Sequence, residues 1–145
     1  GRCRVYNREE MAFGYRTSIV KTKPCVVLST VLKLKKGDRS EISATMQELS
    51  AKRREKQPLE YPSAGSTFKR PEGYFAGKLI MDAGLAGACV GGAQVSEKHC
   101  GFVINRKNAT SADVAGLIQK VTETVQEKFG VTLEPEVIFL GDFEK

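Results

Sequence analysis

Between residues 111 and 129 the apolar side chains recur at helical spacing: Val114, Leu117, Ile118, Val121, Val125 and Phe129 lie three and four apart along one face. Thr110 or Ser111 is placed to cap the start of this helix. Gly130 is placed to end it, because a residue without Cβ enters the left-handed conformation at little cost. A helix with one apolar face needs a partner, and the preceding residues supply one. Residues 88–95 read as a strand in which Gly91-Gly92 marks a bulge or a close backbone approach. Residues 96–99 read as a turn and residues 101–105 as a second strand, which makes the pair a hairpin.

The remaining elements follow from local patterns. Residues 2–6 alternate and read as a strand, and residues 7–11 as a turn. Residues 25–34 (CVVLSTVLKL) are rich in β-branched side chains and read as a strand. A helix is expected from about 40 to 56, capped by Asp38 or Ser40, with Ile42, Met46 and Leu49 as its apolar stripe and Arg53 continuing that face. Pro58 stops it. A short helix is expected at 74–83 with Phe75, Leu79 and Ile80 inward, and a final strand at 131–140, where Pro135 marks an edge or a strand start. The fold class is α+β, with a mixed or antiparallel sheet and two main helices.

The densest chemistry sits in residues 61–80, YPSAGSTFKRPEGYFAGKLI. Gly65 beside the hydroxyl of Ser66 lets the backbone come close to a ligand. Lys69, Arg70 and Lys78 bring positive charge, and Pro62 and Pro71 stiffen the ends. Composition leaves a second reading open, a surface turn followed by a helix. Upstream, Phe13-Gly14-Tyr15-Arg16 sets an arginine fork where it would bind a carboxylate or phosphate, or would stand as a solvated strand end.

Charge narrows the partners. Lys and Arg number 23 against 17 Asp and Glu, a net charge of +6, which favours anionic ligands. Lys52-Arg53-Arg54-Glu55-Lys56 could serve a nucleic-acid surface but reads better as a solvated helix end whose cations suit the helix dipole. Aromatic residues are not interleaved with the cations as stacking platforms, which argues against a nucleic-acid partner. The four cysteines, Cys3, Cys25, Cys89 and Cys100, show no metal-ligand spacing, and His99 beside Cys100 makes a poor metal site. No apolar run is long enough to cross a bilayer. Reduced thiols in a cytosol are the expectation, with an oxidised pair as the alternative. A start at Gly1-Arg2-Cys3 without Met suggests a processed product or a fragment.

In order along the chain, the motifs FGYRTS (13–18), KQPL (56–59), PSAGSTFKRP (62–71), FAGKLI (75–80), GGAQVS (91–96), KHCGF (98–102), Asn105, NAT (108–110) and LEPEV (133–137) resemble those of UDP-N-acetylenolpyruvoylglucosamine reductase, the flavoenzyme of bacterial peptidoglycan synthesis. The resemblance covers nearly the whole chain and looks like the branch with the shorter substrate domain. It implies a C-terminal half. Residues 1–57 would be the C-terminal part of the second FAD-binding lobe, 58–130 the substrate-binding domain, and 131–145 a terminal strand returning towards the flavin lobes. Nothing here resembles the family's glycine-rich FAD loop, so the N-terminal flavin-binding half would be a further partner.

The same resemblance implies the chemistry. NADPH reduces FAD, and the enolpyruvyl double bond of UDP-N-acetylglucosamine enolpyruvate then receives a hydride, giving UDP-N-acetylmuramate in the cytoplasm. By motif position, Arg16 would face the charge that spreads into the carboxylate, Ser66 would deliver the proton, and Glu136 would share the site, protonated or orienting Arg16. Lys56, Arg70, Lys78 and His99 would bind the UDP-sugar, and Tyr15 would face the flavin. Many relatives carry a cation where this sequence has Ala86. The chain alone would then bind UDP-sugar without redox activity.

Overall fold

The computed structural model describes residues 1–15 and 17–141. Its most heavily packed helix is α3 (Ser111–Phe129). Thr110 Oγ1 accepts from the Asp113 backbone N–H, while the Asp113 carboxylate accepts from the Thr110 N–H, so two orphan donors of the first turn are satisfied reciprocally. At the other end Gly130, at φ 69°, returns its N–H to Gln126. Leu117, Ile118, Val121 and Val125 of the expected stripe are buried, whereas Phe129 at the last turn stays exposed.

The helix packs on a sheet of four strands: β1 (Ser63–Ser66), β2 (Cys89–Val90), β3 (Ala93–Val95) and β4 (Phe102–Asn105), in the order β1-β4-β3-β2, antiparallel throughout. The expected strand at 88–95 is two strands. Val90 pairs with Ala93, so Gly91-Gly92 is the two-residue turn of a hairpin. The close approach is real: a Cβ on Gly92 would lie 2.1 Å from the Lys107 carbonyl oxygen. Alternation then sorts β4. Val103 joins the core under α3, while Phe102 and Ile104 are buried outside that cluster.

Helix α2 (Ala76–Asp82) adds Leu79 and Ile80 to the core and ends against α3, where Lys128 Nζ donates to the Ala83 carbonyl at 2.6 Å. Phe75 does not point inward as expected. It occupies the N-cap position in an extended conformation, 61% exposed, with the Arg70 guanidinium 4.0 Å from its ring centroid.

Helix α1 (Arg39–Lys56) forms with nearly the expected bounds, but Ile42, Met46 and Leu49 remain exposed. The strand expected at 131–140 reduces to a single bridge, Phe68 to Pro135, since proline brings no N–H to a ladder. Leu133, 1% exposed, anchors the segment.

The chain divides into two compact units, Gly1–Asp38 and Arg39–Lys145. In the first, Asn7 and Glu10 exchange backbone-to-side-chain hydrogen bonds around a turn, Gly14 bridges to Thr17, and Ser18 caps a 3₁₀ helix (Ile19–Lys21). The strands expected at 2–6 and 25–34 are absent. Among the described residues neither stretch has a ladder partner, and Val31 is 96% exposed. β-Propensity without a paired edge leaves backbone groups to water and fixes no strand. No helix among the described residues is long and apolar enough to cross a membrane.

Candidate active site

The candidate site grows from the edge strand β1. Ser63 pairs with Ile104 and Ser66 with Phe102, so the step from 63 to 66 runs opposite the shorter step from 104 to 102 and β1 bulges. Gly65 sits in the bulge at φ 88°, and a Cβ there would meet nothing within 4 Å. Glycine is therefore set by backbone conformation, and the space before it is open. Ser63 Oγ accepts from the Gly65 N–H at 3.4 Å. The local turn hydroxyl is thus Ser63. Ser66 is exposed, and its hydroxyl makes no hydrogen bond among the described residues.

Thr67 fixes the end of this strand. Its N–H donates to the Gly101 carbonyl at 2.8 Å, and its hydroxyl accepts from the Val103 N–H at 3.0 Å. Its carbonyl accepts from the Glu136 N–H at 2.9 Å, while the Lys69 N–H donates to the Glu134 carbonyl and Lys69 pairs with the Glu134 carboxylate. The 134–136 segment therefore lies along β1's continuation, and Glu136 is held beside the residue that follows Ser66.

An open cleft of ≈ 680 Å³ lies against this strand. Ser63, Gly65 and Ser66 form one wall, and His99 and Phe102 from the β3–β4 turn and β4 form another. Arg53 and Gln57 at the end of α1 close a third side, with Leu59, Tyr61 and Pro62 from the connection. His99 is held in place. Its Nδ1 accepts from the Gly101 N–H at 3.1 Å, and its ring meets Phe102 edge-on at 5.0 Å. A ring nitrogen that accepts from a backbone N–H carries no proton, so neutral His99 bears its proton on Nε2. Gly77 in the first turn of α2 approaches this turn so closely that a Cβ would lie 3.3 Å from His99 Cε1. Behind it Cys100 is buried, and that desolvation pushes its thiol up from the ordinary range.

Ser66 and His99 thus line one cleft, with Glu136 tied to the strand continuing from Ser66. Arg70 is fixed nearby in sequence: Nε donates to the Tyr74 carbonyl at 3.3 Å while the guanidinium covers Phe75. Lys78 is paired with Asp82 one turn on, at 2.7 Å, and Lys56 is exposed at the last position of α1. Tyr15 is exposed in the first unit, and Arg16 lies outside the described residues. Arg53 and Gln57 were not singled out by sequence as site residues. Their one signal is a spacing of four at a helix end, which resembles any solvated pair.

A family model described as UDP-N-acetylenolpyruvoylglucosamine reductase, C-terminal domain, matches residues 57–140. The chain belongs to this family. A UDP-N-acetylenolpyruvoylglucosamine reductase of Lachnoclostridium phytofermentans is 61% identical over 136 residues, covering 94% of this chain and 44% of that protein. The enzyme of Agathobacter rectalis is 61% identical over 143 residues, covering 99% of this chain and 46% of that protein. The crystal structure of UDP-N-acetylenolpyruvylglucosamine reductase from Thermus caldophilus superposes with a TM-score of 0.73 at 39% identity, covering 92% of this chain and 47% of that one. The chain therefore spans a little under half the length of these relatives. The Gly65–Ser66 bulge and the His99 turn lie within the matched residues 57–140.

Proposed function

We propose that this chain supplies the C-terminal, substrate-binding half of a reductase that converts UDP-N-acetylglucosamine enolpyruvate to UDP-N-acetylmuramate in cytoplasmic peptidoglycan synthesis. The observation that carries the reading is the Ser66 hydroxyl, uncommitted at a glycine bulge on the wall of an open cleft, while Ser63 takes the local turn bond. Family membership supports the reaction class.

On this reading, residues 1–57 belong with the flavin lobes, 58–130 bind substrate, and 131–145 return towards the flavin. FAD and NADPH supply the hydride in the whole reductase. The flavin partner is the N-terminal half of the relatives, and this chain's part is the substrate side. Alone, it would bind without turnover.

That part has three components. Ser66 gives its proton to the carbon next to the substrate carboxylate, and water restores the hydroxyl; the transfer runs downhill because an enediolate is the stronger base. Arg16 stabilises the carboxylate charge that develops first, with Glu136 protonated or orienting it. Lys56, Arg70, Lys78 and His99 hold the UDP-sugar, His99 by Nε2–H and Arg70 by the guanidinium edge left after Nε is used.

Calorimetric titration of the enolpyruvyl UDP-sugar into the chain without flavin tests this. Saturable heat that is lost in Arg70→Ala is the expected result. No heat from a sample whose far-UV spectrum is folded would refute the reading.

A further inference from the structure

We propose that Arg53 is a further substrate-binding residue: held by Gln57 on the α1 wall of the cleft, it takes the diphosphate of the UDP-sugar. This rests on the reading of the cleft given above. The basic helix end reads from sequence as a solvated surface, yet the structure separates its cations. Lys52 pairs with Glu48, and Arg54 Nη1 donates to Ser50 Oγ at 3.1 Å, both along α1 itself. Arg53 lines the cleft together with Ser66 and His99.

The position is built. Arg53 Nε donates to Gln57 Oε1 at 3.1 Å, and the Gln57 N–H donates back to the Arg53 carbonyl at 2.9 Å, which extends the last turn of α1. Buried Pro58 ends it there. Lys98 Nζ donates to the Arg54 carbonyl at 2.7 Å and lies 3.5 Å from the Glu60 carboxylate, which pins the end of α1 to the turn that carries His99. The same lysine offsets a conflict, since the carbonyl end of a helix repels anions and Lys98 covers one of those carbonyls. With Nε committed to Gln57, the two Nη groups of Arg53 remain for a ligand. They form the planar pair that suits phosphate oxygens.

Titrations of the full chain with UDP-N-acetylglucosamine enolpyruvate, UDP-N-acetylglucosamine, UDP and uridine test the proposal, the weak ligands being measured by displacement. The readout is the ratio of UDP affinity to uridine affinity within each variant, which cancels any general loss of folded protein. Arg53→Ala is expected to shrink that ratio about 10- to 100-fold, the range of a hydrogen bond to a charged group. Arg53→Lys, which keeps the charge and loses the fork, falls between, and Gln57→Leu shrinks the ratio less than Arg53→Ala. An unchanged ratio overturns the proposal, whether or not both affinities fall. So does a loss confined to the advantage of the enolpyruvyl compound over UDP-N-acetylglucosamine, because Arg53 would then serve the carboxylate. A wild-type chain that binds none of the four removes the functional reading itself, and the inference with it.

Discussion

Thr67 Oγ1 accepts a 3.0 Å hydrogen bond from the Val103 N–H in a position only 2% exposed. This one contact locks the strand that carries Ser66 to the centre of the sheet. Thr67→Val keeps the shape and leaves a buried N–H unpaired, at a cost of about 1–3 kcal/mol. Thr67→Ser, which keeps the hydroxyl, should retain most of that stability. Urea unfolding of the two variants separates the hydrogen bond from the packing of the methyl group.

Glycines of this chain answer differently to alanine. At Gly92 a Cβ would lie 2.1 Å from the Lys107 carbonyl oxygen and 2.6 Å from the Ala109 nitrogen, both backbone atoms. Gly92→Ala should cost about 2–3 kcal/mol through forced backbone shifts. At Gly116, inside α3, the nearest atom is Val90 Cγ1 at 3.5 Å, an ordinary contact. Gly116→Ala should therefore stabilise by about 0.5–1 kcal/mol. Thermal melts of the pair read both signs in one experiment.

Asp113 sets an acid limb. The Thr110 N–H first, and the Gly92 N–H second, hold its carboxyl below the ordinary aspartate range. A depressed folded value means that the unfolded chain binds the proton more readily. The stabilisation is therefore fully present above the ordinary value of about 3.9 and is lost as pH falls through the folded value. Asp113→Asn should lower the melting temperature at pH 7 and flatten its decline below pH 4. A wild-type slope retained in Asp113→Asn would assign the acid limb to other carboxylates such as Glu10, which is lowered by the Asn7 N–H and then by Arg4.

Two helices with apolar stripes differ in what covers them. Leu117 in α3 is fully buried, whereas Met46 in α1 is 66% exposed. Leu117→Ala should cost about 2–5 kcal/mol. Met46→Ala should fall within about 0.5 kcal/mol of wild type. Denaturant midpoints of the two variants check the contrast.

That contrast also marks what could be read in advance. Helix α3 was legible to its caps, because the Thr110–Asp113 box and Gly130 are local and the stripe has a sheet to cover it. The hairpin of β3 and β4 was legible for the same reason. Residues 25–34 show the limit, since β-branched composition states a preference and only a paired neighbour makes a strand. The strand expected at 131–140, with Pro135 marking its edge or start, is instead a single bridge, because a proline brings no N–H to a ladder. In the site, the Gly65-Ser66 pair announced itself, although its glycine serves a bulge whose Cβ space is empty. Arg53 did not, because a cation's direction depends on which neighbour takes its Nε, and Gln57 is visible as that neighbour only once the helix is built.

On the proposed function, the cleft around Ser66 binds the UDP-sugar. Amide chemical shifts of the isotope-labelled chain, followed through a titration with UDP-N-acetylglucosamine enolpyruvate, test it most directly. Saturable shifts are expected at Gln57, Gly65, Ser66, His99 and Gly101, with the far end of α3 unmoved. Saturable shifts that spare Gly65 and Ser66 and gather elsewhere would contradict it.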